Sequence, residues 1–140
     1  MVIGNDGIVY EYKRLYRYVE IARALIDKPQ SNFLHFSFVC DKNKVVSIGW
    51  NDTTAAPMMV NKKHIHFPLG GVHSEVHSLR KVRDLNILKY CTMVNIRLNH
   101  RGDIRLSKPC PICANIIRIL GFKKLFYSTN SGFVYEDLRA

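Results

Sequence analysis

The sequence predicts an α/β domain with three layers, α/β/α, around one five-stranded mixed sheet whose last two strands are antiparallel. Three observations carry this. Segments of helical and strand periodicity follow one another as helix, two strands, helix, strand, helix, two strands. Two pairs of successive strands are separated by turns too short to join parallel neighbours. The chain has 140 residues, 47 % of them hydrophobic, enough for one domain over 1–140 with a substantial core.

The elements follow in order. Ile8, Tyr12, Leu15, Val19, Ala22 and Ile26 recur at steps of four and three, the spacing of one helical face. This helix ends near Asp27-Lys28-Pro29, since proline disfavours helical backbone in the residue before it. Residues 33–40 are aromatic and β-branched and predict a first strand. Asp41-Lys42-Asn43-Lys44 turns the chain into a second strand over 45–50, antiparallel to the first. Residues 51–69, with Pro57 and Pro68, make a long irregular stretch, which in a compact domain is usually functional or mobile. Gly70-Gly71 permit a tight entry into a helix on which Val76, Leu79, Val82 and Leu85 recur every third residue. A third strand covers 90–98. Asn99-His100-Arg101-Gly102-Asp103 turns, and Ile104-Arg105-Leu106 is a short extension leading to Pro109. Pro111 suits the first turn of a helix, Ile116, Ile117 and Leu120 supply its apolar side, and Gly121 ends it. A fourth strand over 124–129, the turn Asn130-Ser131-Gly132 and a fifth strand Phe133-Val134-Tyr135 complete the chain.

Charge and cysteine usage narrow the class. Lys and Arg number 21 against 11 Asp and Glu, a net charge of +10, which favours a polyanionic or phosphorylated partner. No uncharged apolar run reaches about 18 residues, so no membrane span is expected. The first fourteen residues lack an apolar signal core, so secretion is not expected. Of four cysteines, Cys40 and Cys91 lie in apolar strand-like runs and read as reduced core residues, which suits a cytoplasmic protein.

The chemistry lies in His73-Ser74-Glu75 and Pro109-Cys110-Pro111-Ile112-Cys113. Together they offer an imidazole, two thiols and a carboxylate that no metal needs. Catalytic zinc takes three protein ligands and keeps a fourth position for water. His73, Cys110 and Cys113 fill three positions. Glu75, two residues from His73 on a helix start, points away from the imidazole and so toward the water. Taken alone, Cys-x-x-Cys also fits a structural zinc site or a redox pair. His73 and His77, spaced i, i+4, could join both cysteines in a closed structural site, which leaves Glu75 without a role. His-Ser-Glu-Val-His has its glutamate in the wrong register for a metalloprotease.

In this order, each opening a helix, the two segments resemble the H-x-E…P-C-x-x-C signature of the cytidine deaminase superfamily, the zinc-dependent base deaminases. The resemblance extends over nearly the whole chain, because that fold uses the same order of elements. It implies one catalytic zinc per chain on His73, Cys110 and Cys113. It implies that Glu75 moves a proton from the activated water to the ring nitrogen and the departing ammonia, as zinc hydroxide attacks C4 of cytosine and uracil forms. The family places an asparagine after the second strand against the sugar or base edge; here that is Asn51, though asparagine also serves as a turn residue. Phe33, Phe36, Trp50, Phe67 and Tyr127 are candidates for stacking on a base, with core packing the alternative. Lys62 and Lys63, near His64 and His66, are candidates to hold a phosphate, or form a solvated basic loop. Ser74 stands where the family usually has alanine, and joins Asn51, Trp50, Lys62 and Lys63 as a candidate substrate contact.

The branch is less uniform. The terminal hairpin resembles the branch acting on free nucleosides, whereas His73, in place of a cysteine, resembles the nucleotide and polynucleotide branches. The charge of +10 tilts the expectation toward a small nucleotide such as deoxycytidylate, then a nucleoside. The alternatives are cytosine in single-stranded DNA or RNA, held by the 51–69 loop and basic residues, and a non-catalytic zinc-stabilised binding module. Adenine or guanine is open to the same zinc chemistry. Relatives complete their pockets across subunits, so a homo-oligomer is expected.

Overall fold

Side-chain alternation in the central strands divides the molecule into two apolar layers, one on each face of a single sheet. The computed structural model describes residues 8–9, 13–28, 34–51 and 73–139. Its elements are β1 (Ile8–Val9), α1 (Lys13–Ala24), β2 (Leu34–Asp41), β3 (Lys44–Trp50), α2 (Ser74–Arg80), a 3-10 helix (Leu85–Tyr90), β4 (Thr92–Leu98), β5 (Ile104–Arg105), α3 (Pro111–Ile119), β6 (Lys124–Ser128) and β7 (Phe133–Asp137). The strands lie side by side as β1-β7-β6-β4-β2-β3, and β5 pairs with β4 beyond the end of β6. β4 and β6 are parallel; the other pairs are antiparallel, β6 with β7 included.

On one face, Leu15, Tyr18, Val19 and Ala22 of α1 bury against Phe36, Phe38, Val94, Ile96 and Leu98. On the other, Val76 and Leu79 of α2 and Ile116 and Ile117 of α3 bury against Val39, Met93, Leu125 and Tyr127. Each large apolar side chain removed from water in this way stabilises the fold by about 1.5–3 kcal/mol. The expected α/β/α layering is therefore present. α3 ends as its sequence predicts: Gly121 takes a φ of 88°, with its N–H on the Arg118 carbonyl and the Phe122 N–H on that of Ile117.

Some boundaries differ from expectation. Ile8 is in phase with the face of α1 but belongs to β1, where it pairs with Val134. Among the described residues the helix spans Lys13–Ala24. Leu85 is in phase with α2, yet α2 stops at Arg80 and Leu85 opens the 3-10 helix, capped by the Asp84 side chain on Asn86 N–H. The third strand starts at Thr92, because Tyr90 still belongs to that 3-10 helix. Ile104 and Arg105 are a strand rather than a plain extension, so with β1 the five expected strands become seven. The glycine pair before His73 lies outside the described residues.

β3 is an edge strand, and α2 covers it. A Cβ on Gly49 would lie 2.2 Å from Ser78 N and 2.5 Å from Ser74 O, so only glycine lets helix and strand approach this closely. Ser47 Oγ donates to Ser78 O at 2.9 Å. Two outward backbone groups of the edge are also bonded: Trp50 N–H donates to His77 Nδ1 at 3.0 Å, and Lys81 Nζ donates to Ile48 O at 2.6 Å.

The inner residues of β2 and β4 that face α2 and α3 are polar at one end. The register sets His35 opposite Arg97 and Ser37 opposite Asn95. Burial, followed by the charges of Arg97 and His73, holds His35 down at about 4.

Two outcomes follow for stability. Gly49→Ala forces backbone apart and should cost on the order of 3 kcal/mol, a fall in Tm of about 10 °C by thermal unfolding. His35 is neutral in the fold but protonates in the unfolded chain below pH 6.5. Stability should therefore decline by up to about 1.4 kcal/mol per pH unit as pH falls from roughly 6.5 toward 4. Denaturant titrations across that range should show a shallower decline in His35→Gln.

Candidate metal centre

His73 and Cys110 occupy equivalent places, each the residue before the first turn of a helix. Both have extended backbone, with φ, ψ of −68°, 155° for His73 and −63°, 161° for Cys110. The His73 ring makes no capping bond to α2, so it is available to the space beside the helix. Cys110 Sγ accepts from Cys113 N–H at 3.4 Å, which turns both sulfurs to the same side of α3. Pro111 fits the first turn because no amide proton is needed there.

The two helix starts meet. His73 Nδ1 lies 3.4 Å from Cys113 Sγ and 3.8 Å from Cys110 Sγ. The three ligand atoms all fall within 4.8 Å of one another, and among the described residues this is the group of that kind. Burial, then the charges of Glu75 and Cys110, pushes the Cys113 thiol up. A cation shared by the three ligand atoms would relieve that, because it supplies counter-charge to sulfur. Two thiolates and one imidazole are a donor set that zinc takes when it keeps a position open. The residues present fit zinc.

His77 does not belong to this group. Its Nδ1 accepts from Trp50 N–H, and its ring sits edge-on to Trp50 at 4.8 Å. The same indole carries Lys81 Nζ at 4.1 Å over its face. Trp50 is thus engaged at the sheet edge by α2. Phe36 is fully buried on the α1 face and Tyr127 is buried in the core beneath α2 and α3, so both pack as core. Asn51 Oδ1 accepts from His35 N–H at 3.1 Å and ties the end of β3 to the start of β2. Lys62, Lys63, His64, His66, Phe33 and Phe67 lie outside the described residues.

Ser74 and Glu75 are both buried. Ser74 Oγ donates to Glu75 Oε1 at 2.9 Å and lies 2.8 Å from Ser37 Oγ, which reaches Asn95 Oδ1 at 2.8 Å. Sequence reasoning missed Ser37, Asn95, His35 and Arg97. A signal was there to read: each interrupts, at period two, strands whose alternate residues are Phe36, Phe38, Val94 and Ile96.

No family model and no curated protein matches the sequence. Solved structures do share its architecture. The dCMP deaminase of cyanophage S-TIM5 in apo form aligns with a TM-score of 0.51 at 17 % identity, over 84 % of this chain and 83 % of that one. The same enzyme in complex with dCMP and dUMP aligns with a TM-score of 0.55 at 17 % identity, over 85 % and 83 %. A cytidine deaminase from Burkholderia pseudomallei aligns with a TM-score of 0.54 at 17 % identity, over 88 % and 91 %. No helix among the described residues is long and apolar enough to cross a membrane. With this sheet order, these helix positions and these structural neighbours, the chain has the cytidine deaminase-like fold.

Proposed function

We propose that this protein is a zinc-dependent hydrolytic deaminase that converts cytosine to uracil in a small nucleotide or nucleoside, with a dCMP-type substrate preferred. The reading is carried by one observation. The ligand atoms of His73 and of Cys110 and Cys113, which follow it by 37 and 40 residues, converge beside a buried carboxylate that bears on Cys113. His73, Cys110 and Cys113 would hold the zinc. When bound, it acts as a Lewis acid that makes water a competent nucleophile near neutral pH.

The chain's own residues do the rest. Glu75 takes a proton from the water and returns it to the ring nitrogen of cytosine, then serves the departing amine; the sum is water in and ammonia out. Its burial keeps bulk water from competing for the proton and keeps the carboxylate within reach of the reacting atoms. Asn51 has Oδ1 engaged by His35 N–H, so its contact to sugar or base would be made through Nδ2. The net charge of +10 and the placement of Arg97 opposite His35 support a substrate that carries phosphate. Lys62 and Lys63 are retained as phosphate contacts. Trp50, whose ring meets His77 and Lys81, is a less favoured substrate contact than Asn51. A homo-oligomer acting in the cytoplasm completes the proposal. The closed structural-site reading is weakened by the engagement of His77 Nδ1 with the backbone of Trp50.

Ammonia release should be measured with cytidine, deoxycytidine, their monophosphates and a cytosine-containing oligonucleotide. Turnover is expected to be fastest with deoxycytidine monophosphate; a preference for the oligonucleotide, or no turnover with any of them, would reject the proposal. Glu75→Gln should keep about one zinc per chain, by metal analysis, and lose about three orders of magnitude in kcat.

A further inference from the structure

Four polar residues from three separate elements form one buried chain that ends on Glu75. They are Asn95 of β4, Ser37 of β2, and Ser74 and Glu75 of α2. Ser37 has no exposed surface, Ser74 and Asn95 are 3 % exposed, and Glu75 is 7 % exposed. The links are 2.8 Å from Asn95 Oδ1 to Ser37 Oγ, 2.8 Å from Ser37 Oγ to Ser74 Oγ, and 2.9 Å from Ser74 Oγ to Glu75 Oε1. Polar groups buried between a helix and the centre of a sheet destabilise the fold unless every one is bonded. No buried side-chain nitrogen or oxygen among the described residues lacks a partner.

We propose that Asn95, Ser37 and Ser74 are positioning residues that hold the Glu75 carboxylate in its proton-transferring orientation. The proposal rests on the deaminase reading above and goes beyond it. A glutamate has three side-chain torsions, and losing any of them misdirects its proton. The Ser74 hydroxyl pins Oε1, which leaves Oε2 to exchange protons with water and substrate. Ser74 is itself pinned, because Ser37 reaches it from the sheet. Ser37 sits directly across the ladder from Asn95, so two central strands set its position.

Proton counting gives the chain a direction. Three links need three protons, and two hydroxyls bring two. With the carboxylate as acceptor, Asn95 supplies the third: a half turn of its amide places Nδ2 on Ser37 Oγ at no change of shape. Every donor then points toward Glu75. Alanine at position 74 would leave the sheet with no link to the carboxylate.

The test uses the full-length, zinc-loaded protein and the best substrate of the panel. Ser37→Ala should lower kcat about tenfold, because Ser74 then loses the partner that aims its hydroxyl at the carboxylate, with KM within about twofold and one zinc per chain retained. Ser74→Ala, which suits a helix, should do the same and serves as the second variant if Ser37→Ala does not fold. Because the chain acts as one unit, the double variant should be no slower than Ser74→Ala alone, within about twofold. Unchanged kcat in both single variants would overturn the proposal, as would a rise confined to KM or a loss of zinc in step with rate. If the parent protein turns over none of the panel, the deaminase reading itself has failed; if the parent is active and the variants are unaffected, only the positioning chain has.

Discussion

α2 lies against β3 at a separation that leaves no room for a side chain at position 49. That closeness seats Ser74 and Ser78 on the strand and fixes the height of the helix start above the sheet. His73 and Glu75 inherit their positions from it. Ser47, His77 and Lys81 reinforce the contact by bonding helix to strand or strand edge to helix. A helix of seven residues has little stability of its own, so its orientation has to come from packing. The thiol half of the site is built independently on α3, with Cys110 and Pro111 shaping its first turn. The candidate metal site lies where these two separately anchored helix starts come together.

Much of this was legible in the chain because the relevant signals are local. The two tight turns, at 41–44 and 130–132, announced antiparallel pairs that the register bears out. Pro111 and Gly121 marked the two ends of α3. The grouping of His73 with Cys110 and Cys113 was readable because residue type and short spacing are sequence properties. Other features depend on partners far along the chain. Ile8 fits a helical face by phase alone, but its pairing with Val134 decides its conformation. Leu85 continues the step of α2, while the break after Arg80 has no glycine or proline to announce it. Ser37 and Asn95 are 58 residues apart, and nothing local in either strand says that they meet. Gly49 reads as an ordinary strand glycine until the helix is placed upon it.

The four cysteines show how the fold sorts identical groups by environment. Cys40 lies in the α1 layer beside Tyr18, and burial pushes it up to about 11. Cys91 donates to the Ile87 carbonyl at 3.3 Å and is also pushed up by burial. Cys40 has Tyr18 as its hydrogen-bond partner and Cys91 has the Ile87 carbonyl, so both serve as small buried side chains. Cys110 and Cys113 differ in having each other, His73 and Glu75 close by. Burial raises all three shifted thiols, but only Cys113 sits in a group whose atoms could share a cation.

Both margins of the sheet are guarded. At one, His77 and Lys81 occupy the outward groups of Trp50 and Ile48. At the other, β1 pairs with Phe133 and Val134, and the remainder of β7 carries Glu136 and Asp137. Among the described residues, bonded groups therefore interrupt one edge row, and acidic side chains flank the open part of β7 at the other. Edges held in this way are poor templates for a strand from a second molecule, whatever else that molecule brings.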